Sequence, residues 1–228
     1  SPIVTIATTC GTGTETDQYA VITKEDTGEK LDFTVDALFP TLSIIDPELM
    51  VSLPRNQTLY QGWDAFFHNV ECYIMNDHAN RILDLYTIEG FQTVHAWLKD
   101  ALDDGSNVVA RTNMAYGANI LGGYAMAHEF VTTHHIIAQS MSGLYPGLPH
   151  GASLIVIAKE FYARYGAHFP EFFDDLGELL GVASDPKSPG LGFYRALATF
   201  MARTGANEVR MSDFGIDPAD FPRIVEDR

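Results

Sequence analysis

Asp64 and His68 stand four residues apart in the segment Gln61-Gly-Trp-Asp-Ala-Phe-Phe-His-Asn-Val-Glu-Cys-Tyr73. On a helix, residues i and i+4 are neighbours on one face, so a carboxylate and an imidazole so placed could grip one ion. His135 and His150 follow far downstream, in segments able to fold back beside the pair. One carboxylate and three imidazoles make a complete ligand set for a divalent transition metal, suiting Fe²⁺, Zn²⁺, Co²⁺ or Ni²⁺. The spacing by itself carries little weight. Eight histidines and thirty acidic residues in 228 yield roughly one acid–histidine pair at i, i+4 by chance, and this chain has one.

The remaining candidates each have an ordinary explanation beside the chemical one. His135 lies in the largely apolar Phe130-Val-Thr-Thr-His-His-Ile-Ile-Ala138, where a lone histidine is usually a satisfied core residue. His150 lies in Leu148-Pro-His-Gly-Ala152, where a loop meets a helix, and could simply make local bonds there. His134 cannot share the helical direction of His135 and reads as a decoy; His78, His95, His128 and His168 read as surface or packing residues. Gly11-Thr-Gly-Thr-Glu15 follows a short β-branched run, and its small residues could let a cofactor approach closely. It lacks the third glycine and the following helix of a Rossmann turn, so in isolation it reads as a turn.

Two kinds of element must position these groups. Up to about residue 60 the chain is β-flavoured: Ile3–Thr9, Tyr19–Thr23 and Lys30–Thr34 read as strands, the last two joined through the Glu25-Asp-Thr-Gly28 turn. Leu42–Ile45 is a further apolar strand, closed by Asp46-Pro47. From about Asn56 the apolar period becomes helical. One helix carries Asp64 and His68 to about Met75, and a second runs to Leu98 with Asp77 as N-cap and Ile82, Leu85, Ile88, Phe91 and His95 on one side. Further helices are expected over Val108–Gly122, Ala125–Ser140 and Ala152–Tyr165, with a loop over Gly143–Pro149. Phe193–Arg203 should end at Gly205, and Asp217 should open a last short helix.

Composition narrows the function. Thirty acids against fourteen bases give a formal charge of −16, a field that repels phosphate backbones and anionic membranes, so nucleic-acid and membrane partners are not expected. No apolar run reaches membrane-spanning length, and no charged-then-apolar leader precedes the first strand. Two cysteines, Cys10 and Cys72, build no disulfide framework and fit a reducing, cytoplasmic compartment. The opening Ser1-Pro2 without Met and the ending at Arg228 read as a piece of a longer polypeptide or a processed chain.

Taken in order, several segments resemble the iron-dependent (group III) alcohol dehydrogenases. Thr8-Thr-Cys-Gly-Thr-Gly-Thr-Glu15 is similar to that family's Thr-Thr-Ala-Gly-Thr-Gly-Ser-Glu segment, and Ala20–Thr23 with Thr27–Lys30 is similar to its following hairpin. Ile45-Asp-Pro-Glu-Leu49 and Leu53-Pro54 resemble its interdomain stretch. Gly62-Trp-Asp-Ala-Phe-Phe-His-Asn-Val-Glu71 is similar to Gly-Met-Asp-Ala-Leu-Thr-His-Ala-Ile-Glu, and His135 through Leu144-Tyr-Pro-Gly-Leu-Pro-His150-Gly151 resembles the third and fourth ligand region, in a butanol-dehydrogenase-type form. Each segment is common singly; five in order are specific.

The resemblance implies a metal held by Asp64, His68, His135 and His150, with Fe²⁺ first and Zn²⁺ or another dication as substitutes. It implies that Thr8, Thr9, Thr12 and Lys30 line the cleft for NAD or NADP, and that hydride passes between the cofactor and a small alcohol or aldehyde. Gln139 stands where the family often has a second histidine, and a neutral amide cannot relay a proton. The implied fold is mainly α: an all-helical C-terminal domain over residues 55–228, preceded by a short β portion, residues 1–54, left from an α/β nucleotide-binding domain. The competing expectation is a non-catalytic metal-binding or interaction domain from a truncated or split dehydrogenase. Homo-oligomer formation stays open.

Overall fold

The computed structural model describes residues 2–226; Ser1, Asp227 and Arg228, the extreme ends of the two expected portions, lie outside the described residues. Four short strands come first: β1 (Val4–Ala7), β2 (Tyr19–Thr23), β3 (Lys30–Thr34) and β4 (Leu42–Ile45). β2 and β3 form the expected antiparallel hairpin, Tyr19 facing Thr34 and Thr23 facing Lys30. β1 and β4 pair in parallel with Val4 opposite Leu42. The side chains of Val4, Ile6, Leu42 and Ile44 on this pair stay largely exposed. Helices make up most of the rest of the described chain, so the protein is mainly α as its periodicity implied.

The organising element is α1 (Arg55–Asn76). Every residue from Gly62 to Tyr73 is buried, so this stretch is enclosed on all sides. Trp63, Phe66 and Phe67 carry the aromatic core, where Trp63 lies 4.5 Å from the Phe200 ring and Phe66 stacks near Phe193. The Trp63 indole donates to the Thr204 hydroxyl at 3.2 Å, which satisfies its one polar atom. Such packing leaves α1 little freedom to turn or slide, and its polar residues inherit that rigidity.

Around it pack α2 (Arg81–Asp103), α3 (Val108–Ala115), a π-helical turn (Tyr116–Gly122), α4 (Gly123–His128), α5 (Thr133–Leu144), α6 (His150–His168), α7 (Pro170–Leu179), α8 (Gly192–Thr204) and α9 (Phe221–Glu226). α8 ends at left-handed Gly205 and Asp217 caps the turn before α9, both as expected. Four expectations need correction. Asp77 does not start α2; it adopts a left-handed conformation (φ 43°) that closes α1, and Asn80 caps α2 by accepting from the Ile82 and Leu83 amides. The buried side of α2 is Leu83, Thr87, Gly90, Phe91, Val94 and Leu98, whereas Ile82 and Leu85 are 60% and 68% exposed. Gly90 decides that face: a Cβ there would sit 1.9 Å from the Asn69 side-chain oxygen, so the helices meet through their smallest residue. The helix expected over Val108–Gly122 widens into the π turn after Ala115. Finally, Ala125–Ser140 is broken at residues 129–132, because Glu71 captures the Thr132 amide and hydroxyl and α5 restarts from there.

Candidate functional site

Asp64, His68 and Glu71 occupy positions i, i+4 and i+7 of α1 and so share one face. The start of α5 supplies His135, its first turn capped by Thr132, whose hydroxyl accepts from the His134 amide at 3.2 Å. The first residue of α6 is His150, preceded by Pro149. α6 reaches α1 through Gly151, where a Cβ would stand 2.0 Å from the Tyr60 carbonyl oxygen. Glycine is required there for direct backbone contact, and that contact brings His150 to the site.

The three imidazoles converge on a single oxygen of the fourth residue, Asp64. Asp64 Oδ1 lies 3.3 Å from His135 Nε2, 3.4 Å from His68 Nε2 and 3.5 Å from His150 Nε2. Ligand atoms of Asp64, His68 and His135 all lie within 4.8 Å of one another, and these three residues are buried. His150 joins them from the rim, its side chain 31% exposed. A tetrahedral cation with ligands at about 2.0–2.1 Å separates its ligand atoms by roughly 3.3–3.4 Å. The three spacings about Asp64 match that edge, but His150 lies outside the group whose ligand atoms are all within 4.8 Å of one another, so its ring must move inward for four ligands to close on one ion.

The hydrogen bonds test whether a cation suits the site. His68 Nδ1 lies 3.2 Å from the Gly11 carbonyl, which can only accept, so Nδ1 carries the proton. Burial holds the His68 ring below its ordinary pKa despite the Asp64 charge, so near pH 7 the ring is neutral and Nε2 is bare. A bare nitrogen then faces a carboxylate oxygen, an arrangement that is repulsive until a cation lies between them. His150 likewise is pushed down to about 4 by burial, assisted by its neighbours His135, His68 and Lys30, which outweigh the pull of Asp64. Burial would raise Asp64, but the surrounding imidazoles hold it well below the carboxylate range. For His135, burial lowers the ring while Glu71 and Asp64 more than compensate, raising it to about 10; a metal would have to displace that proton from Nε2. These donors fit a divalent transition ion: one anionic oxygen, three aromatic nitrogens and few competing partners.

A cavity of ≈ 420 Å³ opens onto the cluster, lined by Asp64, His68, His135 and His150 on one side and by the hairpin's Tyr19, Ala20, Val21 and Lys30 on another. Met126 and Val131 add apolar wall. Of the expected cofactor-cleft residues, Thr12 and Lys30 line this cavity, and burial pushes the Lys30 ammonium below its ordinary value. Thr8 is exposed, and Thr9 offers its carbonyl to the Asn119 side chain at 2.9 Å. Gln139 also borders the cavity, its amide 3.5 Å from Asp32 Oδ1.

Residues 58–227 match the profile described as "Fe-containing alcohol dehydrogenase family, C-terminal", and residues 1–47 match that of "Iron-containing alcohol dehydrogenase". The chain belongs to the iron-containing alcohol dehydrogenase family. Within that family it is 35% identical to a 1,3-propanediol dehydrogenase of Citrobacter freundii over 99% of its own length and 58% of the relative's. It therefore spans little more than half of that protein. A solved 1,3-propanediol oxidoreductase superposes with a TM-score of 0.87 at 32% identity, covering 99% of this chain and 59% of that one. An NADH-dependent butanol dehydrogenase A from Thermotoga maritima gives 0.84 at 29% identity, covering 99% and 57%.

Two groups around the Asp64 cluster were not assigned from sequence. Glu71 bonds the rings of both His134 and His135, so His134 is no idle decoy, although it stays out of the Asp64 cluster. The i+7 spacing from Asp64 was the available signal. Asn119, on the π turn, donates to the Thr9 carbonyl and to Glu15, clamping the loop whose Gly11 carbonyl orients His68. No sequence period announces a π turn, and nothing local marked that residue.

Proposed function

We propose that this chain is the catalytic portion of a metal-dependent alcohol dehydrogenase or aldehyde reductase, acting on a small alcohol or aldehyde with NAD or NADP. The observation that carries it is the convergence of three imidazole Nε2 atoms on Asp64 Oδ1 at tetrahedral-edge spacing. In this reading Asp64, His68, His135 and His150 hold the ion, Fe²⁺ by family, with Zn²⁺ as a chemically acceptable substitute. When bound, the dication would supply Lewis-acid polarisation of the substrate oxygen and the nicotinamide would supply hydride chemistry.

The chain's own residues do the rest. Asp64 balances part of the ion's charge, and the buried imidazoles keep competing water from the inner side of the site. Met126, Val131 and Val21 offer an apolar wall suited to a short aliphatic chain. Thr12 and Lys30, which border the cavity, together with Thr8 and Thr9 just outside its lining, are assigned to the edge along which the nicotinamide would lie. Gln139 cannot exchange a proton with the substrate, so proton release falls to solvent or to another titratable group on the cavity wall, where Asp17, Asp32, Lys30 and His150 stand. We divide the chain into a β portion, residues 1–54, belonging to an α/β cofactor unit, and a helical metal-binding portion, residues 55–228. The exposed apolar side chains of the parallel β1–β4 pair support that division, since parallel strands are ordinarily covered on both faces. Among the described residues no helix is long and apolar enough to cross a membrane; a cytoplasmic location belongs to the same proposal.

Steady-state oxidation of NADH and NADPH with short aldehydes, with and without added Fe²⁺ or Zn²⁺, tests the reading. Metal-dependent turnover is the expected result. Stoichiometric metal binding without turnover would favour the competing reading, a non-catalytic metal-binding domain, which the 58% coverage of the Citrobacter relative makes a real alternative.

A further inference from the structure

Glu71 is fully buried on α1, one turn beyond His68, and takes no part in the Asp64 cluster. Its two oxygens are nonetheless saturated. Oε1 accepts from His135 Nδ1 at 2.7 Å and meets His134 Nδ1 at 2.9 Å. Oε2 accepts from the Thr132 amide at 2.7 Å and its hydroxyl at 2.8 Å. The far nitrogen of His134 donates to the Leu154 carbonyl at 3.0 Å, anchoring that ring to α6. One carboxylate therefore fastens α1 to the start of α5 and, through His134, to α6.

The three imidazoles of the cluster differ in what holds their Nδ1. His68 has a neutral acceptor, the Gly11 carbonyl. His150 Nδ1 is buried with no hydrogen-bond partner. His135 has a carboxylate. A charged acceptor fixes the ring's tautomer and orientation and makes the opposite nitrogen a stronger donor to metal. We infer that Glu71 is a positioning residue: it commits His135 Nδ1 to a proton, presents Nε2 toward Asp64, and thereby sets the metal affinity of the site. His134 and Thr132 hold Glu71 in turn.

Glu71, His134 and His135 lie close enough together to form a second metal centre. Against this, both Glu71 oxygens and the far nitrogen of His134 are already used, and neither Glu71 nor His134 lines the cavity. The group is a hydrogen-bonded clamp.

This inference rests on the metal reading of the Asp64 site, and its test separates the two. Co²⁺ affinity is measured by chelator competition on the purified chain and on Glu71→Gln, together with the Co²⁺ d–d absorption of each at saturating metal. Expected are one tight equivalent in the wild type, a loss of affinity of about 10- to 100-fold in the variant, and altered d–d bands with the metal-free circular dichroism unchanged. Affinity within threefold of wild type in a folded Glu71→Gln overturns the role of Glu71 while leaving the metal site intact. A wild type that binds no metal removes both readings. Two equivalents in the wild type, one of them lost in His134→Ala, would make the clamp a metal centre and overturn the inference. Should Glu71→Gln fail to fold, long-range ¹H–¹⁵N correlation on the Zn²⁺-loaded wild type decides: His135 should carry its proton on Nδ1 with Nε2 bound to metal, and the opposite assignment refutes the proposal.

Discussion

Gly151→Ala should cripple metal binding without touching a ligand. The added Cβ would stand 2.0 Å from the Tyr60 carbonyl oxygen and 2.5 Å from its carbon, both of them backbone atoms of α1 that no rotamer change can move. Ordinary contact begins at 3.4 Å, so the start of α6 must retreat by about 1.4 Å. His150 directly precedes residue 151, and its Nε2 now lies 3.5 Å from Asp64 Oδ1. A shift of that size along the line of contact carries it to nearly 5 Å, beyond the roughly 3.3–3.4 Å edge of a tetrahedral site. Overpacking of this kind destabilises by about 1–3 kcal/mol. The site would drop from four protein ligands to three, and Co²⁺ affinity should fall at least about tenfold, comparable to the loss of an orienting partner. Gly147→Ala is the matched control, because a Cβ there meets nothing within 4 Å in the preceding loop. Thermal unfolding of the metal-free proteins and competitive Co²⁺ titration read the two effects separately. If Gly151→Ala binds Co²⁺ within twofold of wild type, the fit of His150 to the site is refuted.

His68→Ala should lose stoichiometric metal, whereas His134→Ala should still take up one equivalent, at lower affinity; elemental analysis of the purified variants separates them, and the reverse outcome would contradict the ligand assignment. Asn119→Ala removes the bonds to the Thr9 carbonyl and Glu15. It should cost about 1.5–3 kcal/mol and speed amide exchange over residues 8–16; unchanged exchange there would show that the π turn does not hold the loop. Burial raises the Asp17 carboxyl from 3.8 to about 6. The folded state thus binds that proton more tightly than the unfolded chain, so the penalty is absent below about pH 4 and complete above pH 6, amounting to about 2–3 kcal/mol. Asp17→Asn, whose side-chain oxygen can still accept from the Tyr19 amide, should raise Tm at pH 8 and leave it nearly unchanged at pH 4; equal shifts at both would refute the linkage.

What could be read from the sequence followed the length scale of the forces involved. Strand and hairpin limits at Tyr19–Thr23 and Lys30–Thr34 rest on local β-branching and a turn, and they agree with the structure to the residue. α1 was legible for the same reason, its start set just after Pro54. The buried side of α2 was not. Spacing put Ile82 and Leu85 on one side with Ile88, Phe91 and His95, but the interface is governed by how closely Gly90 lets α1 approach, a property of two helices at once. The break between α4 and α5 was hidden likewise, because the residue that terminates the local periodicity, Glu71, lies some sixty positions earlier on another helix.

The site divides along that line too. Asp64 and His68 are related by helical spacing and could be paired on sight, while His135 and His150 are brought in by a capped helix start and a glycine contact. Ordered resemblance supplied what periodicity could not. Yet resemblance of segments carried no account of why Glu71 closes the motif that begins at Gly62. The structure supplies a physical reason: once Asp64 and His68 face inward, the next position on that face is also sealed from water, and an acid can remain ionised there only if several donors surround it. Burial would raise the Glu71 carboxyl, and the His135 and His134 rings more than reverse the effect. A buried charge that needs donors and an imidazole that needs an acceptor satisfy each other, which ties the stability of the α1–α5 contact to the orientation of His135. A substitution that relieves the buried charge, such as Glu71→Gln, should therefore act on the His135 ring before it acts on the fold.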